Sequence, residues 1–571
     1  MALLRRLKAR PVTGLRALSQ PTSQPPDELD VTFTDTVAAF KSKTTYELVR
    51  AYVVYQICSI NWIVENNDSI MKKARMVMPK KVFEAMMKAT FYGQFVAGED
   101  PEKIKPTVNR LTSFGVKSIL DYSVEEDLSQ EEAEEREVKA SKSETDDGKE
   151  EQEEKEGHLK QYQVERGFAD RRYKVTSART YFYLNEAACE KNMTAFLKSI
   201  EAVHGESFLI VSIDGLQLSE VIMRARNYMQ GMGGGTGNVL THHKTVEDLQ
   251  RYFGEHKDKP EVQVFLKKIT TDGQGIVHLF PWSDILDVEM GLSDTFRVPD
   301  PKTGQMRRLT SQISTQEEAM FRNMLRRLNN VIQTASAADV RVMVDAEQTY
   351  FQPAISRICM EMMRRYNKEK YVVFNTYQTY LKQTYNEIVT DLEQAKRQNF
   401  HWAAKCVRGA YIEQERARAS AMGYDDPTCE NYEATTASYH KCLTEVITKG
   451  DMKDRVGVMV ASHNEDTVRF AINLMKEHGI QPRDKVICFG QLLGMCDHVT
   501  FPLGQAGYSA YKYVPYGPVA EVMPYLSRRA NENRGFLAKI KKEKRLLLKE
   551  IFRRAFTGKL FYTPNGHYKP V

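Results

Sequence analysis

Two guanidiniums stand side by side near the C-terminus, in the stretch Tyr525-Leu526-Ser527-Arg528-Arg529-Ala530-Asn531-Glu532-Asn533. Read as a helix, it puts Tyr525, Arg528, Arg529 and Glu532 at i, i+3, i+4 and i+7, on one face. Arginine forks match carboxylates and phosphates, so a paired Arg beside an aromatic ring suits a small organic acid. The competing reading is a solvated helix face with an Arg528–Glu532 ion pair worth about 0.3–0.5 kcal/mol. What the rest of the chain brings to that helix decides between them.

Eight apolar, strand-length runs recur with helix-length spacers. They are 115–122, 207–213, 341–346, 371–376, 402–407, 456–461, 485–489 and 510–515. Short apolar runs alternating with helices indicate parallel strands, and eight of them predict a (βα)8 TIM-like barrel. An open doubly wound sheet is the alternative, but it needs a Gly-rich turn after its first strand, and none follows here. A parallel barrel carries its active site at the C-terminal strand ends. Those ends read Asp345-Ala346-Glu347, Asn375-Thr376-Tyr377-Gln378, Lys405-Cys406-Val407-Arg408-Gly409-Ala410-Tyr411, Ser462-His463-Asn464-Glu465 and Tyr513-Val514-Pro515-Tyr516-Gly517. A barrel with no ligand would not need polar and aromatic groups at nearly every strand end, which favours a functional Arg pair. Lys405, Arg408 and Gly409 suit a phosphate, and Asn375 suits the amide-like edge of a ring. The sequence has no nucleophile elbow, no Ser-His-Asp order and no metal-ligand cluster, so a phosphorylated cofactor fits better than a metal.

Composition bounds the rest. The chain has 571 residues, 42% hydrophobic and 27% charged, with a net charge of +6, too small for its length to argue for nucleic acid. Its eight cysteines form no C-x-x-C pair, which predicts reduced thiols. No run of about 18 uncharged apolar residues is present, so any membrane contact is expected to be peripheral. Residues 1–26 carry five Arg and Lys and no acid, the composition of a mitochondrial transit peptide. A helical arm is expected over 27–113 and the barrel over 114–565. An acidic, low-complexity insert over 123–160 cannot bury enough apolar surface to order itself. A second insert over 225–320 is expected to be helical; its run from Gly231 to Gly237 lacks a phosphate-loop ending. That insert also holds an EF-hand-like loop, where Thr270, Gln274 and Pro281 stand at acidic ligand positions, so calcium binding is expected to fail. The basic, apolar stretch 536–561 reads either as a membrane-surface helix or as a terminal helix packed on the barrel.

Five motifs occur in order: Met343-Val344-Asp345-Ala346-Glu347, Phe374-Asn375-Thr376-Tyr377-Gln378, Val407-Arg408-Gly409-Ala410-Tyr411, Ala461-Ser462-His463-Asn464 and Tyr525-Leu526-x-Arg528-Arg529-x-x-Glu532-Asn533. Together they resemble the mitochondrial proline dehydrogenase (proline oxidase) family over about residues 115–564. The resemblance implies a barrel that binds FAD non-covalently and oxidises L-proline to Δ1-pyrroline-5-carboxylate. It also implies that electrons pass to ubiquinone at the matrix side of the inner mitochondrial membrane. By resemblance, Arg528 and Arg529 clamp the substrate carboxylate, Glu532 supports the cofactor or the Arg pair, and Tyr411, Tyr513 and Tyr525 wall the ring. Lys405, Val407, Arg408, Gly409, Ser462 and His463 match flavin-contacting positions, Asn375 a flavin-facing Gln of bacterial relatives, and Asp345 an acid beside the pocket. Glu125 matches, loosely, a carboxylate that gates the Arg pair. One departure stands out: Ser212 occupies the place of a family Lys at the end of the second strand. Two alternatives follow, a hydroxyproline dehydrogenase, which bulky Tyr513 opposes, and a flavin-binding barrel weakened by Ser212.

Overall fold

The structure, a computed structural model, describes residues 26–123, 161, 186–202, 207–211, 245–269, 271, 275, 297–300, 302–308, 315–448, 450–535 and 537–571. Eight parallel strands close a barrel: β1 (Val116–Tyr122), β2 (Phe208–Val211), β3 (Arg341–Val344), β4 (Val373–Gln378), β5 (Trp402–Val407), β6 (Val456–Ala461), β7 (Ile487–Leu492) and β8 (Ala510–Tyr516). Each strand pairs with the next, and β1 closes onto β8 through seven registered residues, from Val116 opposite Ala510 to Tyr122 opposite Tyr516. The expected barrel is what the chain forms.

Alternation along the strands builds two cores. One inward residue from each strand makes the plug inside the barrel: Ile119, Phe208, Met343, Phe374, Ala403, Met459, Cys488 and Tyr511. The ring of Phe208 meets those of Phe374 and Tyr511 edge-on, both at 5.0 Å between centroids. Outward residues such as Val342, Trp402, Val458 and Val514 form the larger core beneath the surrounding helices. Full burial of each such side chain is worth about 1.5–3 kcal/mol.

A third apolar cluster sits over the top of the barrel and positions the chemistry. It joins the helix Thr45–Cys58, the helix Lys80–Ala89 and the C-terminal helix Leu537–Phe556 to Tyr525 and Leu526. Those two residues lie on the helix Met523–Gly535, which carries the Arg pair. Thr44 starts the first of these helices with a capping box closed by Glu47. The loop after β7 is gripped at Gly494, whose carbonyl accepts from Tyr55 Oη at 2.8 Å and Gln94 Nε2 at 2.7 Å. Gly494 has φ +79°, and a Cβ there would lie 2.1 Å from the Gln94 carbonyl oxygen, so only glycine fits. Beneath it, Lys43 and the fully buried Lys512 both pair with Asp497, at 2.8 and 2.9 Å. Burial opposes ionisation of Asp497, but the two ammoniums outweigh it and hold the carboxyl down at about 2.

Of the second insert, the described residues show two helices, Val246–Phe253 and Pro260–Lys268, and an antiparallel pair, Arg297–Pro299 with Met306–Arg308. The expectation there was helix alone. Ser212, Glu125, the glycine run 231–237 and the calcium-like positions Thr270, Gln274 and Pro281 lie outside the described residues, as do residues 1–25 and 124–160. Among the described residues, no cluster of His, Cys, Asp and Glu could hold a metal, and no helix is long and apolar enough to cross a membrane.

Candidate active site

A cavity of about 440 Å³ opens at the C-terminal ends of the strands. Its floor is the top of the barrel plug, Ile119 and Met459, with Gly490 beside them. A Cβ at Gly490 would lie 2.9 Å from Met459 Sδ, so this glycine keeps the floor low. Strand ends supply the walls, and the helix Met523–Gly535 closes one side.

On that side Tyr525, Arg528 and Arg529 all line the cavity, as the i, i+3, i+4 spacing predicted. All three are buried. The Arg529 guanidinium carbon lies 5.1 Å from the Tyr525 ring centroid, which fixes the fork over an aromatic face. Tyr513 at the end of β8 contributes a second ring. Glu532 lies on the same helix.

The opposite wall comes from β3 to β6. Lys405 is buried and ion-paired with Asp345 across the strands, an association that their separate readings did not contain. Arg408 follows β5; its Nη2 donates to Thr436 Oγ1 at 2.6 Å and to the Tyr432 carbonyl at 3.1 Å. Its guanidinium carbon stacks 4.3 Å above the Tyr432 ring. Arg408 Nη1 is buried with no hydrogen-bond partner among the described residues. Burial pushes the guanidinium below its ordinary pKa. A buried donor left over costs about 1–3 kcal/mol, so a bound acceptor is the natural partner. Next to it Gly409 has φ +91°, which turns the chain along the cavity with no side chain between. Val407, Ala410 and Ser462 line the same wall.

Tyr411 is held by a chain of hydrogen bonds. Its Oη donates to Glu347 Oε2 at 3.1 Å and to the Ala346 carbonyl at 3.2 Å. Its backbone N–H donates to Tyr380 Oη at 3.2 Å, and Tyr380 donates to Gln378 Oε1 at 2.5 Å. Gln378 Nε2 returns to the Glu347 carbonyl at 2.7 Å. Burial first, then the Glu347 charge, pushes the Tyr411 phenol well above its usual value, so it stays a neutral donor. His463 Nε2 accepts the Leu492 backbone N–H at 3.1 Å, which fixes its protonated nitrogen as Nδ1 when the ring is neutral. Behind the wall, Thr349 donates to the buried Glu415 from its backbone at 2.6 Å and its hydroxyl at 2.8 Å. Burial outweighs those bonds and pushes Glu415 up to about 7.

Asn375 is a correction. Its Oδ1 accepts from Thr376 N at 3.0 Å and its Nδ2 reaches Ser356 Oγ at 3.4 Å, so it faces the helix outside β4 and does not line the cavity. Phe374 is the inward residue of that strand, so alternation turns Thr376 and Gln378 inward instead. The period-2 rule applied from Phe374 would have found both. Asn431, Tyr432 and Thr435, at the start of the helix Tyr432–Thr448, also line the cavity. No pattern in the sequence marked them, since their loop reaches the site through the fold. The donor set therefore holds two kinds of cationic place in one cavity, one suited to a phosphate-bearing group and one to a small carboxylate.

The comparisons with known proteins agree with this chemistry. A family model, Proline dehydrogenase, matches residues 104–542. A Drosophila melanogaster relative, "Proline dehydrogenase 1, mitochondrial", is 60% identical over 95% of this chain and 84% of its own. The Homo sapiens protein of the same name is 44% identical over 94% of this chain and 91% of its own. The Homo sapiens "Hydroxyproline dehydrogenase" is 32% identical over 91% of this chain and 93% of its own.

Proposed function

The chain belongs to the proline dehydrogenase family, and we propose that it oxidises L-proline to Δ1-pyrroline-5-carboxylate by hydride transfer to FAD. Electrons pass on to ubiquinone. The observation that carries the reading is the juxtaposition, in one cavity, of Arg528 and Arg529 between tyrosines and of Arg408 with Gly409 opposite. Bound FAD would supply the two-electron acceptor, and the buried Nη1 of Arg408, the bare backbone at Gly409 and the Lys405–Asp345 pair fit its phosphates and polar ring edge.

The protein's own residues bind and orient. Two guanidiniums on one carboxylate fix the substrate's rotation as well as its place. Tyr513, Tyr525 and Tyr411 pack the pyrrolidine ring and exclude water, with Tyr411 locked by Glu347. Oxidation breaks a C–H bond at the ring carbon beside nitrogen, the hydride leaving with its electron pair. The nitrogen lone pair then forms the C=N bond, so the amine must first give its proton to solvent. Asp345 is committed to Lys405 and holds that ammonium at the wall. The reading places the chain in proline catabolism in the mitochondrion, at the matrix side of the inner membrane. Residues 1–26 would be the transit peptide, 27–113 a helical arm and 114–565 the barrel.

Turnover with L-proline and a soluble quinone, with the cyclic imine trapped as it forms, tests the proposal. Imine formation that depends on L-proline supports it; flavin-loaded protein that yields none contradicts it.

A further inference from the structure

Between the first helices and the barrel, the chain carries a surface that the reaction does not use. The helix Asn67–Val77 packs inward through Met71 and Ala74, with Met78 just beyond its end, onto the cluster that contains Tyr525 and Leu526. Its start is tied to the Arg-bearing helix, where Ser527 Oγ donates to Asn67 Oδ1 at 2.5 Å. The opposite face goes to solvent, and it is not the face of an ordinary surface helix. Met76 and Val77 are each 84% exposed, with Trp62 at 67% and Val82 at 54%. Interleaved with them, Lys72, Lys73, Arg75, Lys80 and Lys81 are all exposed. Over residues 60–88 the sequence has six cations and three carboxylates.

Large exposed apolar groups alternating with a twofold excess of cations over carboxylates call for a partner that is apolar and anionic at once. A second copy of this chain is a poor partner, because a two-fold contact would set this cationic face against itself. A bilayer with acidic headgroups matches both features: cations meet phosphates while Trp, Met and Val enter the acyl boundary. We propose that the surface from Trp62 to Val82 docks the protein on an anionic lipid bilayer, with the Arg-bearing helix on the membrane-proximal side. The inference deepens the quinone-linked reading and rests on it for the acceptor, which would be dissolved in the same bilayer. The C-terminal helix also exposes Phe552 and Phe556. That end lies elsewhere, since Arg554 donates to the carbonyls of Phe40 and Lys43 at 2.9 and 2.8 Å, beyond the far end of the helix Thr45–Cys58.

The test is co-sedimentation of the full chain with vesicles of phosphatidylcholine alone and of phosphatidylcholine mixed with phosphatidylglycerol. The expected result is binding to the mixed vesicles, weakened by salt, and a fall of roughly 100-fold or more when Lys72, Lys73, Lys80 and Lys81 are changed to Glu. Brominated lipid should quench tryptophan fluorescence, and Trp62→Phe should remove that quenching. Reversing Lys549 and Lys559, exposed at the Phe552–Phe556 end of the chain, is expected to leave binding intact. Failure of the wild-type chain to bind mixed vesicles, equal binding by the four-Lys variant, or loss in the C-terminal variant instead would each overturn the proposal. So would a change of oligomeric state in the four-Lys variant without vesicle binding by the wild type, which would point to a protein partner. Flavin reduction by L-proline with a soluble dye is measured on the same samples. If that fails while vesicle binding follows the pattern above, the functional reading falls and the docking surface stands.

Discussion

On one side of the cavity, Lys405 and Arg408 stand singly, one bound to Asp345 and the other stacked on Tyr432 beside the bare backbone of Gly409. On the other, Arg528 and Arg529 stand together on one helix with Tyr525 a turn away. Both walls are cationic, yet on the proposed function they would select different anions. Single cations spread along a glycine turn follow an extended phosphate-bearing chain, because each contact is local. Paired forks between aromatic rings enclose a compact acid, because the rings limit what the carboxylate can carry. The barrel makes this division possible, since its strand ends deliver one wall and a single helix held by the N-terminal cluster delivers the other.

Changing either wall alone should therefore change one function alone. The largest effect is expected from the paired wall: Arg529→Ala should lower kcat/KM for proline by about 100-fold or more, with flavin content unchanged. Equal loss of flavin in that variant would erase the distinction. On the single-cation wall, Arg408→Ala should weaken flavin affinity by about 10- to 100-fold, measured by titrating apoprotein, and leave proline KM of the loaded fraction near wild type. Tyr513→Ser should narrow the preference for proline over hydroxyproline by about 10-fold, because it removes bulk where the ring hydroxyl would sit. Unaltered discrimination would move the specificity elsewhere.

Smaller effects test what stands behind the walls. Glu415 shifts upward on folding, from 4.5 to about 7, so its contribution is fully present below pH 4.5 and is lost as pH rises through 7. Glu415→Gln should therefore gain on the wild type between pH 5 and pH 8, by up to roughly 3 kcal/mol in denaturant unfolding. A gap that does not depend on pH would show that the carboxyl does not titrate there. Asn375→Ala should leave the flavin spectrum unchanged and cost only about 1 kcal/mol of stability, since its bonds are to Thr376 and Ser356. A shifted spectrum would return Asn375 to the cavity.

The sequence made the barrel readable because each strand has an apolar body with helix-length spacing, and all eight expected runs are strands. Their ends were harder. The fourth was expected at 371–376 and runs Val373–Gln378. Tyr371 is apolar but serves at the strand's foot, donating its hydroxyl to the Val456 carbonyl at 2.8 Å. The seventh was expected from 485, where Lys485 instead adopts φ +56° and closes a turn. Strand ends near a site turn polar, so a reading that follows apolar residues stops before the hydrogen-bond ladder does. Asn375 was given the cavity because its amide suits a ring edge and by its resemblance to a flavin-facing Gln, whereas the alternation from inward Phe374 brings Gln378 there instead. The Arg pair was legible from helical spacing, whereas the Lys405–Asp345 pair joins residues 60 positions apart and exists only through the fold.

The central claim is that the two walls act on one reaction, and anaerobic titration of the flavin-loaded protein with L-proline tests it most directly. The account predicts bleaching of the flavin absorbance by wild type, faster as pH rises and the substrate amine loses its proton, and none by Arg528→Ala with the same flavin content. Flavin that stays oxidised in the wild type at saturating proline, or bleaches equally in Arg528→Ala, would contradict it.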